Sequence, residues 1–253
     1  MPPHVTTSPI LAIDVGATSI KLCEVGPNGE LLGAVQQRPT PYPCAPERLV
    51  DVVAREIRSR GCTRVGVGFP GEFHDGLVVE PGNLSRPGGF TSEVDPTLHE
   101  AWRSFDLQEW LRRESGRDVR VVNDATMAAL GCSEGTGREL VFTLGTGFGI
   151  ALVVDGGLVR IRDVGAEVFR EGLTYDVALG EHSRARDDVR WAQLLRVAVT
   201  GFVDELAVTT VHLGGGNARW IEPEWFAGLP VRVVLHGNDA SLRGAARLFP
   251  DAS

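Results

Sequence analysis

Hydrophobic and polar positions follow one another along the chain in two rhythms, short apolar runs or alternations and longer stretches of helical period. The run ILAIDVG (residues 10–16) is apolar but for one acid and stops at a glycine, as a buried strand does. IKLCEV (20–25) and LLGAVQQ (31–37) flank the turn GPNGE, so three antiparallel strands open the chain. APERLVDVVAREIRSRG then places Leu49, Val52, Val53 and Ile57 on one helical face, with Pro46 near its start and Gly61 at its end. RVGVGFPG predicts a strand feeding a glycine turn, and GLVVE a short strand before an irregular Gly/Pro-rich stretch. DLQEWLRRESG is a helix with Asp106 and Glu109 at capping-box spacing and Gly116 at its end. VRVVND is the next strand, and a helix starts in ATMAAL.

The second half repeats that order. LVFTLG and GIALVVDGGLVRI give three strands with an Asp-Gly-Gly hairpin turn, and DDVRWAQLLRVAVTGFVDELA is a long amphipathic helix. The strand TTVHLGGG, the short segment PEWFAGL, the strand VRVVL and the helix DASLRGAARLF follow. The segment RDVGAEVFREGLTYDVALGEHSRAR reads as an irregular insertion, a candidate substrate loop. A βββαβαβ order met twice predicts two similarly wound lobes with a cleft between them, where a ligand binds.

Composition narrows the class. The 253 residues are 43% hydrophobic and 23% charged, an ordinary globular balance for one large domain or two small ones. A net charge of −8 argues against a general nucleic-acid binder. No apolar run approaches the roughly 20 residues that span a bilayer, and the N-terminus lacks the basic and apolar regions of a signal peptide, so a cytoplasmic protein is expected. Cys23, Cys44, Cys62 and Cys132 are scattered without metal-ligand spacing, which predicts reduced thiols and no structural zinc.

Candidate chemistry sits at strand ends. Asp14, Gly16, Thr18 and Lys21 lie in or beside the first turn, Gly145, Thr146 and Gly147 lie in the matching hairpin of the second lobe, and Gly214, Gly215 and Gly216 end a later strand. Glycine lets backbone N–H groups approach phosphate oxygens, yet none of these turns matches a P-loop or a dinucleotide fingerprint. In VVNDATMAAL, Asn123 and Asp124 stand where a strand turns into a helix. That is the place of an N-cap, and also the place where α/β sheets bind ligands.

The ordered set IDVGATSIK, GVGFPGEFHDG, VVNDA, LGTGFGIALVVDG and HLGGGNA resembles the ROK-family sugar kinases of the actin/hexokinase superfamily, above all the polyphosphate/ATP-dependent glucokinases. The likeness runs from about Ile10 to Phe249. It implies an α/β fold of two RNase H-like lobes, each βββαβαβα: residues 1–124 completed by the C-terminal helix 239–253, and residues 125–238. It further implies Mg²⁺ positioned by Asp14 through water, and a phosphoryl donor, ATP or polyphosphate, held by Thr18, Lys21 and the backbone at Gly145, Thr146 and Gly147. Gly214, Gly215 and Gly216 then lie beside a nucleotide's base or sugar. Asp124 is the implied general base toward a sugar or polyol hydroxyl, with Asn123 and Asn83 binding the acceptor, and a homodimer is the implied assembly.

The pattern breaks in RDVGAEVF. Family members carry Glu-x-Gly-His there to bind the sugar, whereas this chain has Asp163 and Ala166, with Glu167, Glu171, Glu181 and His182 nearby as replacements. A lost partner costs on the order of 1–3 kcal/mol per unpaired group, so the change points away from glucose toward an amino sugar, a modified hexose or a cyclitol. A non-catalytic sensor is the alternative of another class. It is disfavoured because Asp14, Asp124 and the turn glycines are all kept, and a DNA-binding repressor because only about nine residues precede the first strand.

Overall fold

The computed structural model describes residues 8–74, 76–88, 92–162 and 164–249. Contacts divide them into two units, one running to Met127 and resuming at Ser241, the other spanning Ala128–Ala240. The first holds β1 (Ile10–Val15), β2 (Ser19–Val25), β3 (Gln36–Pro39), α1 (Pro46–Arg58), β4 (Arg64–Phe69), β5 (Glu72–His74), β6 (Leu77–Glu80), α2 (Pro96–Trp102), α3 (Leu107–Ser115), β7 (Asp118–Asn123) and the start of α4 (Asp124–Cys132). Its main sheet has the order β3-β2-β1-β4-β7, antiparallel through β1 and parallel from β1 to β7.

The period of two along these strands sorts the faces. Leu11, Ile13, Val15, Val65, Val67, Phe69, Val119 and Val121 form one core with the stripe Leu49, Val50, Val53, Ala54 and Ile57 of α1 and with Leu107 and Leu111 of α3. Helix α3 starts where Asp106 Oδ1 accepts the Glu109 N–H at 2.9 Å and stops at Gly116, whose φ of +66° few other residues tolerate. The opposite face is built small, with Ala12 paired to Gly66 and Asp14 to Gly68. A Cβ on Gly66 would lie 2.7 Å from Ala245 Cβ, so this glycine admits the C-terminal segment. Arg120 ties that segment down, donating to Leu248 O with its guanidinium carbon 4.6 Å from the Phe249 ring centre.

The second unit repeats the winding with β8 (Arg138–Leu144), β9 (Phe148–Val154), β10 (Gly157–Val159), β13 (Thr210–Gly214) and β14 (Arg232–Leu235), in the order β10-β9-β8-β13-β14. Between β10 and β13 come β11 (Val168–Arg170), β12 (Leu173–Thr174), α5 (Tyr175–Leu179), α6 (Glu181–Arg186) and α7 (Asp188–Leu206). Helix α7 is capped by Asp187, which accepts the Arg190 N–H at 3.0 Å, and buries Trp191, Leu195, Val199 and Phe202 among Leu140, Phe142, Leu152, Val211 and Leu213. The other face meets α4 through Ala129, Cys132, Val141, Ala151 and Val153. The fold class is thus an α/β pair of five-stranded RNase H-like units.

Several elements differ from expectation. The third strand occupies 36–39 rather than 31–37, because Leu31 makes a lone bridge to Val25 and Leu32 and Val35 are exposed. The stretch RPGGFTSEVDPTLHEAW is not wholly irregular: Asp95 Oδ1 accepts the N–H groups of Thr97 and Leu98 and starts α2, whose Trp102 is fully buried and donates to Cys44 O at 2.7 Å. The insertion in the second half holds a hairpin and two short helices. The last helix is a single turn, α8 (Ala240–Gly244), passing into a 3₁₀ turn over Ala245–Leu248. All four cysteines are buried free thiols.

Gly66→Val should lower stability by roughly 2 kcal/mol through overpacking against Ala245. Urea denaturation reads the loss, and proteolysis within residues 241–249 should quicken with it.

Candidate active site

The first unit gathers its chemistry at the carboxyl ends of β1, β4 and β7. Asp14 stands opposite Lys21 across the β1–β2 pair, with Lys21 Nζ 3.4 Å from Asp14 Oδ2, and Ser241 Oγ donates to that same oxygen at 2.8 Å. Asp124 follows the last residue of β7. Gly68 lies between the two strands, and a Cβ there would fall 2.7 Å from Met127 Cε, 3.3 Å from Asp124 Cα and 3.6 Å from Asp14 Oδ1. The missing side chain is what lets the two acids approach. The alternation Gly66-x-Gly68 inside a strand is the sequence signal for such an approach.

The capping question is answered by the residue before Asp124. Asn123 Oδ1 accepts the Thr126 N–H at 3.1 Å and Asn123 Nδ2 donates to Gly71 O at 2.9 Å, so Asn123 caps α4 and ties it to the β4–β5 turn. Asp124 Oδ1 accepts the adjacent Ala125 N–H at 2.8 Å. Burial, and then the negative charge of Asp14, push its carboxyl up to about 7, against the lowering effect of backbone hydrogen bonds and Lys21. A carboxylate poised near neutrality beside a second one is a candidate base.

Asn83 reaches the same neighbourhood through glycines. A Cβ on Gly71 would lie 2.2 Å from Glu80 O and one on Gly82 2.5 Å from Pro70 O, so the 3₁₀ turn that carries Asn83 (Gly82–Ser85) is seated on the turn that Asn123 holds. Tyr42 Oη–H donates to Asn83 O at 3.4 Å. The first glycine turn is closed by Gly16 N–H donating to Ser19 O, with Thr40 Oγ–H donating to Gly16 O at 2.6 Å, and Thr18 stands exposed.

In the second unit the two glycine turns meet. Gly145 N–H donates to Gly147 O at 3.1 Å, and Gly145 O accepts from Asn217 Nδ2 at 3.0 Å and from Glu181 N–H at 2.8 Å. Gly215, at φ +89°, sits so close that a Cβ would be 2.4 Å from Leu144 O. Asn217 is therefore the clamp between the turns, a residue legible only as the first polar one after the glycine run. Thr146 is exposed at the tip. A cavity of about 250 Å³ opens beside Gly215 and Gly216, lined also by Ile221, Leu235, His236 and Asn238.

The acceptor-loop expectations fare unevenly. Asp163 lies outside the described residues, and Ala166 is exposed. Glu167 pairs with Arg162 at 3.4 Å, Glu181 with Arg184 at 2.5 Å and Glu171 with Arg190. His182 lies on α6. No cluster of three or more metal-ligating side chains forms among the described residues, and none of their helices is long and apolar enough to cross a membrane.

Duplicated RNase H-like units, with paired carboxylates in one and joined glycine turns in the other, define a phosphotransferase of the actin/hexokinase type. The ROK family model matches residues 10–165. The chain belongs to the ROK family. It is 25% identical over 256 residues to the polyphosphate glucokinase of Mycobacterium leprae, covering 92% of this chain and 72% of that protein. Among solved structures, the inorganic polyphosphate/ATP-glucomannokinase of Arthrobacter sp. strain KM superposes with a TM-score of 0.78 at 28% identity, over 97% of this chain and 100% of that one. A Streptomyces griseus ROK glucokinase, solved with glucose and AMPPNP, shares the fold at a TM-score of 0.67 and 19% identity, over 95% and 98%.

The raised carboxyl has a thermodynamic consequence. Between pH 3.8 and about 7 folded Asp124 holds a proton that the unfolded chain has lost, so its contribution to stability falls as pH rises through that window. In metal-free buffer Asp124→Asn should therefore be more stable than the parent at pH 8, by on the order of 2 kcal/mol, with the gap closing toward pH 4. Urea denaturation across that range measures it.

Proposed function

We propose that the chain is a Mg²⁺-dependent kinase that moves the terminal phosphoryl group of ATP or polyphosphate onto a hydroxyl of a hexose-like acceptor. The observation that carries this reading is Asp124, a carboxylate tuned to neutral pH at a strand end and electrostatically coupled to Asp14. Asp124 takes the proton of the acceptor hydroxyl as that oxygen attacks the terminal phosphorus. The bond from phosphorus to the leaving phosphate oxygen breaks in the same displacement. Asn123 and Asn83 orient the acceptor, joined by Asp163 and Glu167.

Two carboxylates facing a single lysine suit a divalent cation, and Mg²⁺ binds through few protein ligands and several waters. Bound there, it would neutralise phosphate charge and lower the pKa of Asp124. Asp14 would hold it, with Lys21 and Thr18 on the donor's phosphates. Gly145, Thr146 and Gly147 offer backbone N–H groups and a hydroxyl to the same phosphates, and Gly214, Gly215 and Gly216 border the donor's nucleoside. The relatives named as polyphosphate-using kinases support this donor chemistry.

The acceptor is the open term of the reaction. Ala166 supplies no hydrogen bond where the family places an imidazole, and the shorter Asp163 replaces a glutamate. This favours an acceptor other than glucose, such as an amino sugar or a cyclitol.

Incubation of the pure protein with Mg²⁺, ATP or polyphosphate and a panel of hexoses, amino sugars and cyclitols should give turnover on at least one of them, with glucose not the best. Asp124→Asn should cut kcat at least about a hundredfold while ADP binding stays within a few-fold. kcat/KM of the parent should fall about tenfold per unit of acidification below the pKa of Asp124. Full activity in Asp124→Asn removes the assigned role, and a panel without turnover removes the kinase.

A further inference from the structure

Asp176 takes no part in the proton or phosphoryl transfer, yet two segments of the second unit meet on its side chain. It is the second residue of α5, a five-residue helix too short to stand by itself and held from outside at both ends. Thr174 Oγ1 accepts the Val177 N–H at 3.3 Å at the start, and Leu179 O accepts from the buried Trp191 Nε1 at 2.8 Å at the finish. Ala178 and Leu179 are fully buried. The backbone of Asp176 is thereby held against the core.

From one side the Gly145–Gly147 turn rests on the carboxylate. Asp176 Oδ1 accepts the Phe148 N–H at 2.7 Å, and a Cβ on Gly147 would lie 2.5 Å from that oxygen. From the other side comes the loop that carries Ala166. Asp176 N–H donates to Gly165 O at 2.9 Å, and a Cβ on Gly165 would lie 2.9 Å from Oδ2. Gly147 and Gly165 are thus two close approaches to one acid. Glu167 N–H donates to Val164 O at 2.9 Å and Tyr175 N–H to Glu167 O at 3.1 Å, which carries the attachment across Ala166 and back to α5.

The two carboxylate oxygens belong to one rigid plane, so a displacement of the turn that moves Oδ1 moves Oδ2 against the loop. Glycine at both contacts leaves no side chain to absorb the movement.

We propose that Asp176 is a positioning residue that couples the Gly145–Gly147 turn to the acceptor loop, so that phosphate bound at the turn tightens residues 164–167. The inference rests on the kinase reading of these two segments and deepens it by naming the side chain that joins them. Such coupling is reciprocal, as binding free energies require: a change at Gly165 is felt as a change of phosphate affinity at the turn.

Inorganic tripolyphosphate with Mg²⁺ is the probe, read by calorimetry and amide hydrogen exchange on the full chain, and neither needs turnover. Saturating tripolyphosphate should slow exchange of the Glu167 and Tyr175 amides at least about threefold in the parent. Asp176→Ala should weaken tripolyphosphate binding about fivefold, the loss of one hydrogen bond, and abolish that slowing at saturation. Asp176→Asn keeps an oxygen for the Phe148 N–H and should restore both. Gly165→Ala presses on the carboxylate from the loop side and should weaken tripolyphosphate about threefold in the parent, with no further loss in Asp176→Ala. Should Asp176→Ala fail to fold, the parent's exchange and Gly165→Ala decide. Tripolyphosphate that binds the parent without slowing the loop amides, slowing that survives Asp176→Ala, or a Gly165→Ala protein of parental affinity overturns the coupling and leaves the donor reading standing. If neither tripolyphosphate nor ADP binds the parent, both fall.

Discussion

Electrostatic repulsion between two carboxylates at neighbouring strand ends governs the first unit. Asp14 and Asp124 come within reach of each other because Gly68, on the strand between them, presents no side chain, and any Cβ there would press on Asp124 Cα and Met127. Their mutual repulsion, added to burial, works against the fold at neutral pH, since Asp124 gives up its proton less readily in the folded chain. Burial first, and that repulsion second, raise the Asp124 carboxyl to about 7. Stability lost at such a site has to be supplied elsewhere, here by the dense core between the sheet and α1 and α3.

The duplication shows what the strand ends are for. With Gly68 of β4 matched to Gly214 of β13, the parallel partners fall into register throughout: Asp14 matches Thr143, Gly66 matches His212, and one step past β14 His236 matches Val122. Continuing past the strand, Asn238 takes the place of Asp124. The carboxylates of one unit and the cavity of the other therefore occupy the same topological position, outside the carboxyl ends of a parallel sheet. One framework has been given acids in the first unit and a hydrogen-bonding wall in the second. Small residues fill the equivalent interior position in the first unit because the C-terminal segment packs there. In the second, the imidazole of His212 fills it and brings Glu139 with it.

The strands and long helices were legible because each presents a single unbroken period against one core. Asp106, Gly116 and the apolar stripe of α1 announce their helices, and all three are found there. The short elements α2, α5 and α6 were not legible. Five to seven residues make less than two turns, too few for a stripe, and their stability comes from caps such as Asp95 and from buried anchors such as Trp102. Of the site, the residue types stood out and their local roles did not: only the fold shows that Asn123 accepts the Thr126 N–H and caps the helix while Asp124 does not. The hydrogen-bonded Glu139–His212–His236 chain joins two strand positions and the residue just past a third strand, far apart in sequence, and leaves no local pattern.

The segment around Gly165 differs from the family pattern in its residues, while its backbone is held in place. Gly165 is held from both sides, its carbonyl accepting the Asp176 N–H at 2.9 Å while a Cβ on it would lie 2.9 Å from the Asp176 carboxylate. That carboxylate also accepts the Phe148 N–H at 2.7 Å and fills the space a Cβ on Gly147 would need, so one side chain fastens the loop to the Gly145–Gly147 turn. Gly180 closes the other end, packed against Thr146 O, with the Glu181 N–H on Gly145 O. These contacts fix the backbone on either side of Ala166, from Val164 to Glu167 and again at Asp176. The frame still presents that position, and what it presents is a methyl group.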